Sequence, residues 1–203
     1  MMTRSSIVIA GAGALLAAAS VVIYAGIISP RRNLDRCLRE LAAVEVGKTT
    51  WDVWHQRVDL NSREGSGFAC QQQDCSFAFI NSLLSKLRLA PRTIIAAQLQ
   101  FKGGIASEIY VWVEVNDAPD AAGVMYAGTG ATIHQTVKVQ DCNQHYSSYA
   151  QQRGQHLWGI VTMDSCVSAE DHAKAFIVNC SCLTKLGGCK TPDAILPQVF
   201  GKS

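Results

Sequence analysis

Polarity along the chain divides it near residue 29. Residues 7–29 read IVIAGAGALLAAASVVIYAGIIS, with no charge, Asn, Gln or Pro. As a helix this run is about 34 Å long, enough to cross a hydrocarbon core of about 30 Å. It is apolar on every face, which excludes an amphipathic core helix. The expected organisation is a short N-terminal tail at 1–6, a transmembrane signal anchor at 7–29 and one soluble domain at 30–203. A cleavable signal peptide is the rival reading. The amino group and Arg4 supply its positive start, and Ala17, Ala18 and Ala19 offer a place to cut. The run exceeds the roughly 7–15 apolar residues that signal peptides use, which favours an uncleaved anchor.

Beyond the run, helical and strand periods follow one another. Asn33 can cap a helix with Leu34, Cys37, Leu38, Leu41 and Ala42 on one face, and Gly47 can stop it. Thr49 or Thr50 can cap a second helix carrying Val53, Trp54 and Val58. Residues 61–67 read as a polar loop. Ser76–Ile80 reads as a short aromatic strand, and Asn81–Leu89 as a capped helical turn closed by Pro91. Two strands, Thr93–Lys102 and Ile105–Asn116, flank Gly103 and Gly104 and form the clearest hairpin. On the second, Ile105, Ile109, Val111, Val113 and Val115 face one way, and Glu108, Tyr110, Trp112 and Glu114 the other. Residues 117–131 read as loop. Thr132–Gln140 alternates, with Ile133, Val137 and Val139 inward. Residues 141–155 read as irregular, and His156–Met163 as a further strand. Ser168 and Asp171 open a helix burying Ala173, Phe176, Ile177 and Leu183. Thr191, Pro192 and Asp193 start a last short helix through Gln198. The expected fold class is α+β: an antiparallel sheet packed by N-terminal and C-terminal helices.

Charge changes the picture little. The net charge is +2, and no clustered basic face is evident, so nucleic acid is not an expected partner. Arg31, Arg32, Arg36 and Arg39 follow the apolar run, while only Arg4 and the amino terminus precede it. By the positive-inside rule this leans toward a cytoplasmic domain.

The cysteines argue the other way. There are eight: Cys37, Cys70, Cys75, Cys142, Cys166, Cys180, Cys182 and Cys189. An even, high count behind a membrane segment points to disulfides in an oxidising compartment. Cys70 with Cys75, and Cys182 with Cys189, are close enough in sequence to bridge. The other four can pair in three ways or remain buried thiols. The domain is therefore expected to be extracytoplasmic. The alternative is a Cys/His metal-binding or redox protein, with His172, Cys180, Cys182 and Cys189 as the ligand types. Their spacing does not match the usual zinc knuckles.

The segment from Asn81 to Pro91 resembles part of a family of membrane-anchored bacterial proteins with no assigned activity. So does the run Ala175–Cys189 followed by Ile195, Leu196 and Pro197. The resemblance covers most of the chain after the anchor, implies that Cys182 pairs with Cys189, and carries no function across. Cys180 stands where that pattern implies an apolar residue, which favours a buried thiol. Residues Val46–Thr50 are similar to a helix junction of small envelope lipoproteins of the outer-membrane assembly type. No lipobox cysteine follows the apolar run, so the anchor departs from theirs.

Catalytic motifs are absent. Gly11, Ala12 and Gly13 lie inside the apolar run with no strand before them, so they make no dinucleotide loop. Gly47, Lys48 and Thr49 lack the earlier glycine of a phosphate loop, because position 42 is Ala42. Glu108 and Glu114 are explained by a solvated strand face. Tyr110 and Trp112 form a candidate contact surface if no helix covers them, and are core if one does. No cofactor is expected. The expected function is that of a membrane-anchored envelope protein: a non-catalytic binding or scaffold domain, not an enzyme, joined to the membrane through residues 7–29 and meeting an envelope protein partner.

Overall fold

The computed structural model describes residues 29–58, 68–71, 73–81, 85–87, 91–116, 128–137, 146–153, 156–183 and 189–201, together with Ala17, Ser20 and Val21. The apolar run 7–29 thus lies outside the described residues except at Ala17, Ser20, Val21 and Ser29, which are helical. Among the described residues no helix is long and apolar enough to cross a membrane.

The molecule is α+β. The helices are α1 (Ser29–Ala42), α2 (Trp51–Arg57), α3 (Ala169–Ala175), α4 (Pro192–Ile195) and α5 (Pro197–Phe200), with a 3-10 turn at Cys180–Leu183. The strands are β1 (Phe68–Gln71), β2 (Asp74–Ile80), β3 (Arg92–Lys102), β4 (Ile105–Asn116), β5 (Gly128–Thr136), β6 (Tyr146–Arg153) and β7 (His156–Asp164). They form one seven-stranded sheet in the order β1-β2-β3-β4-β5-β7-β6. The sheet is not wholly antiparallel, as expected from sequence, because β5 and β7 run parallel. The chain leaves β5, builds β6 at the edge, and returns as β7 between them.

The helix α1 begins at Ser29, upstream of the expected cap. Asn33 lies inside it, where its side chain accepts from Arg36. Leu34, Cys37, Leu38 and Leu41 are buried on one face, as their spacing predicts. Gly47 has a φ of 85°, a left-handed turn that favours glycine. Its N–H donates to the Ala106 carbonyl at 2.8 Å, and Trp51 N–H to Gly104 O at 2.8 Å. The junction between the first two helices is therefore tied to the β3–β4 turn. Thr50 caps α2, accepting from Val53 N–H at 3.5 Å. Trp54 and Val58 are buried, but Val53 faces solvent.

The hairpin of β3 and β4 is as expected. Gly103 and Gly104 have φ of 62° and 79°, the paired left-handed residues of a tight turn whose twist matches the strands. Facing inward are Ile95, Ala97, Leu99 and Phe101 of β3 with Ile109, Val111, Val113 and Val115 of β4. Ile105 does not join them. Gln100 pairs with Glu108 and Phe101 with Ala106, so Ser107 is an extra residue in β4. The bulge turns Ala106 inward and leaves Ile105 exposed.

Other expectations shift in the same way. The strand β5 starts earlier and ends at Thr136, so Val137 is exposed, while Val139 lies outside the described residues. Residues 146–153, expected to be irregular, form β6. Ser168 caps α3, accepting from Asp171 N–H at 3.1 Å. That helix buries Ala175, and Phe176 is buried just beyond it, whereas Ala173 and Ile177 face outward. The last helix divides into α4 and α5, each opening on a proline.

One buried cluster joins the inner face of the sheet to the helices, with Leu34, Leu41, Trp54, Ile195 and Leu196 packed against the strand residues. A Cβ at Gly159 of β7 would come within 2.6 Å of Phe200 and 2.9 Å of Pro192, which places α4 and α5 on that face.

Candidate functional site: the open face of the sheet

The opposite face carries no described helix. On β4 it presents Glu108, Tyr110, Trp112 and Glu114, the set that alternation predicts. Tyr110 is 38% exposed and Trp112 is half-buried. Both readings of these aromatics were open from sequence. Tyr110 and Gln98 beside it are exposed, while Trp112 and His134 are half-buried.

Register then shows what lies beside them. Tyr110 stands opposite Gln98 on β3 and His134 on β5. Continuing outward, His134 pairs with Thr162 on β7, and Thr162 with Ser147 on β6. On the other side Gln98 pairs with Ser76 on β2. One row across six strands therefore consists of hydrogen-bonding side chains. The next row along the strands runs Ala78, Ala96, Trp112, Thr132, Ile160, Tyr149. It is built of small, aliphatic and aromatic side chains, of which Tyr149 is exposed, Trp112 and Thr132 are half-buried and Ile160 is buried.

The aromatics are held in place. The Trp158 indole lies over Gly130, where a Cβ would meet its ring carbons at 2.3–2.6 Å. Trp158 Nε1–H donates to Thr132 Oγ1 at 2.9 Å. Trp112 and Trp158 have ring centroids 6.5 Å apart and an interplanar angle of 33°. Beside them His134 Nε2–H donates to Glu108 Oε1 at 2.7 Å, and Tyr110 meets the imidazole edge-on at 5.6 Å. Glu108 is thus committed to a histidine rather than to a second carboxylate. Alternation around Ile133 would have pointed His134 outward from sequence. Its adjacency to Tyr110 depends on strand order, which local pattern does not encode.

The cysteines lie elsewhere. Cys70 and Cys75 face each other across β1 and β2 and are disulfide-bonded, with Cα atoms 4.0 Å apart. Cys166 and Cys189 are each disulfide-bonded as well. Cys142 and the side chain of Cys182 lie outside the described residues. Cys37 and Cys180 are buried thiols. Burial raises the Cys37 pKa to about 11. Burial also pushes the Cys180 thiol far up, and the Asp35 carboxylate bonded to it acts in the same direction. Both thiols are therefore held away from the reactive thiolate form.

The candidate metal set is not assembled as ligands. The Cys189 sulfur is committed to a disulfide. Cys180 meets Asp35, and His172 Nε2–H donates to Gln135 Oε1 at 3.1 Å. Burial lowers the His172 pKa, with Glu45 opposing that shift. Among the described residues no group of three or more His, Cys, Asp or Glu side chains is placed to hold a metal ion. Lys48 pairs with Glu45 at 2.8 Å on the exposed helix junction. A cleft of about 350 Å³ beside α1 is lined by Leu38, Ala42, Phe176, Ile177 and Val178, with Asp35, Arg39 and Cys180 at its wall. No protein-family model, curated protein or solved structure matches the chain.

Proposed function

We propose that this chain is a membrane-tethered, non-catalytic binding module of the cell envelope, with its folded domain outside the cytoplasm. The observation that carries the reading is the division of the sheet. The helices α1 to α5 contribute to or pack against the buried cluster on one face, and the other presents oriented aromatics among polar side chains. A face of this kind is suited to contact. On that face the described imidazole, His134, is bonded to Glu108. The sulfurs support the choice of compartment. The Cys70–Cys75 bridge and the bonded Cys166 and Cys189 belong to an oxidising environment. Tethering rests on the apolar run at residues 7–29.

Site-specific photo-crosslinking in intact cells tests the reading. A photoreactive residue replacing Tyr110 is expected to give a discrete adduct. One replacing Val53, which is exposed on the helical side, should give none. Equal yields from the two positions, or no adduct from Tyr110, would remove the sheet face as the contact surface. Protease added to spheroplasts should digest the folded domain. Full protection would place it in the cytoplasm.

A further inference from the structure

The two adjacent rows on the open face have different chemistry, and together they specify a class of ligand. The first row is Ser76, Gln98, Tyr110, His134, Thr162 and Ser147. All but His134 are exposed, and its side chain is 37% exposed. Every member donates or accepts a hydrogen bond. At about 4.8 Å between strands the row extends for about 24 Å. The second row, about 7 Å away along the strands, sets Trp112, Thr132, Ile160 and Tyr149 side by side.

A dry protein interface would fit poorly on the first row. Each of its polar groups would need its own partner or be left unpaired at a cost. A polyhydroxylated chain avoids that conflict, because each hydroxyl both donates and accepts. Its sugar rings also present C–H faces, which carry slight positive charge and pack on the negative faces of aromatic rings. Charge narrows the class further. The only titratable groups in the polar row are Tyr110 and His134, and His134 is tied to Glu108. Arg92 and Lys102 stand at opposite ends of β3. Among the side chains described on this face no basic cluster is placed to hold a phosphate or sulfate polymer.

We propose, resting on the binding-module reading above, that the open face holds an uncharged glycan strand. Its hydroxyls lie along the row through Gln98, Tyr110 and Thr162, and its ring faces lie on Trp112 and Tyr149. No covalent step is involved.

The probe is chitohexaose, an uncharged β-linked N-acetylglucosamine oligomer. It is titrated calorimetrically into the full chain, held in a detergent without a sugar headgroup. Saturable binding is expected, and it should change little between low and high salt. Tyr110→Ala should weaken it about tenfold or more. Gln98→Ala and Thr162→Val, at exposed positions where folding is undisturbed, should each weaken it several-fold. Absence of binding by the unaltered chain, or undiminished binding by all three variants, overturns the glycan assignment. If chitohexaose fails while the Tyr110 crosslink in cells captures a protein, the ligand class falls and the binding module stands. If both fail, the face is not a binding surface.

Discussion

The two faces of the sheet are made from the same strands, yet they obey different rules. Inward positions of β3 and β4 are Ile95, Leu99, Ile109, Val111 and Val113, all nearly without solvent contact. Their outward neighbours are Gln98, Glu108, Tyr110 and Glu114. The inner face is defined by volume, because close packing penalises both voids and excess. The outer face is defined by register, because its described side chains touch one another through strand pairing. Stability and binding should therefore separate. Substitutions inside should change folding, and substitutions outside should change what is held.

The largest effect tests that separation directly. Leu41 is fully buried between α1 and the sheet. Leu41→Ala should cost about 2–5 kcal/mol through lost transfer energy and the cavity left behind. Tyr110→Ala, on the open face, should cost less than about 1 kcal/mol in folding, since surface changes away from special features are small. Urea unfolding of both variants gives the comparison. If Tyr110→Ala matched Leu41→Ala, the outer face would be core, and the binding argument would lose its basis.

Glycines sharpen the comparison at intermediate size. Gly159 and Gly130 are buried on opposite faces of neighbouring strands. Gly159→Ala would drive a methyl into Phe200 and Pro192, and Gly130→Ala would drive one into the Trp158 ring. Overpacking of this kind costs about 1–3 kcal/mol. The two should differ in consequence. Gly159→Ala should loosen the C-terminal helices, read as faster amide exchange at residues 192–200. Gly130→Ala should displace Trp158 from Thr132, read as a change in tryptophan fluorescence and in ligand affinity. A Gly130→Ala protein with unchanged fluorescence would show that the indole is not held there.

The sequence made some of this legible. The face of α1, the caps at Thr50 and Ser168, the β3–β4 turn and the outward direction of Tyr110 and Trp112 on β4 each follow from short-range pattern. What escaped has physical reasons. Residues 146–153 read YSSYAQQR, with no alternation to mark a strand. Ser147, Ser148, Tyr149 and Ala150 of this edge strand are all exposed, so neither face requires an apolar residue. The parallel pairing of β5 with β7 depends on where the chain goes between them, which no local window records. Ile105 was misplaced by one inserted residue, since a single bulge reverses every position beyond it. For the site, Tyr110 and Trp112 could be named from β4 alone. Their companions Gln98, Thr162 and Ser147 could not, because each reaches the row only through strand order.

A smaller effect belongs to a polar link between α3 and the sheet. His172 on α3 bonds to Gln135, a nearly fully buried residue of β5 whose amide also donates to the Asp164 carbonyl at 3.3 Å. Such a bond contributes about 1 kcal/mol. Burial holds the His172 pKa below its ordinary value of 6.5, because the charged ring is disfavoured there. The unfolded chain therefore takes up the proton first as pH falls. Stability from this site is fully present above 6.5. It declines as pH drops below that value toward the lower folded pKa, and the decline then stops. His172→Gln keeps a donor for Gln135 and cannot titrate. Urea midpoints measured from neutral to mildly acidic pH should fall less steeply in this variant than in the unaltered chain. Identical slopes would mean that His172 reaches water as freely as the outer face does, and the division between the two faces would then fail at α3.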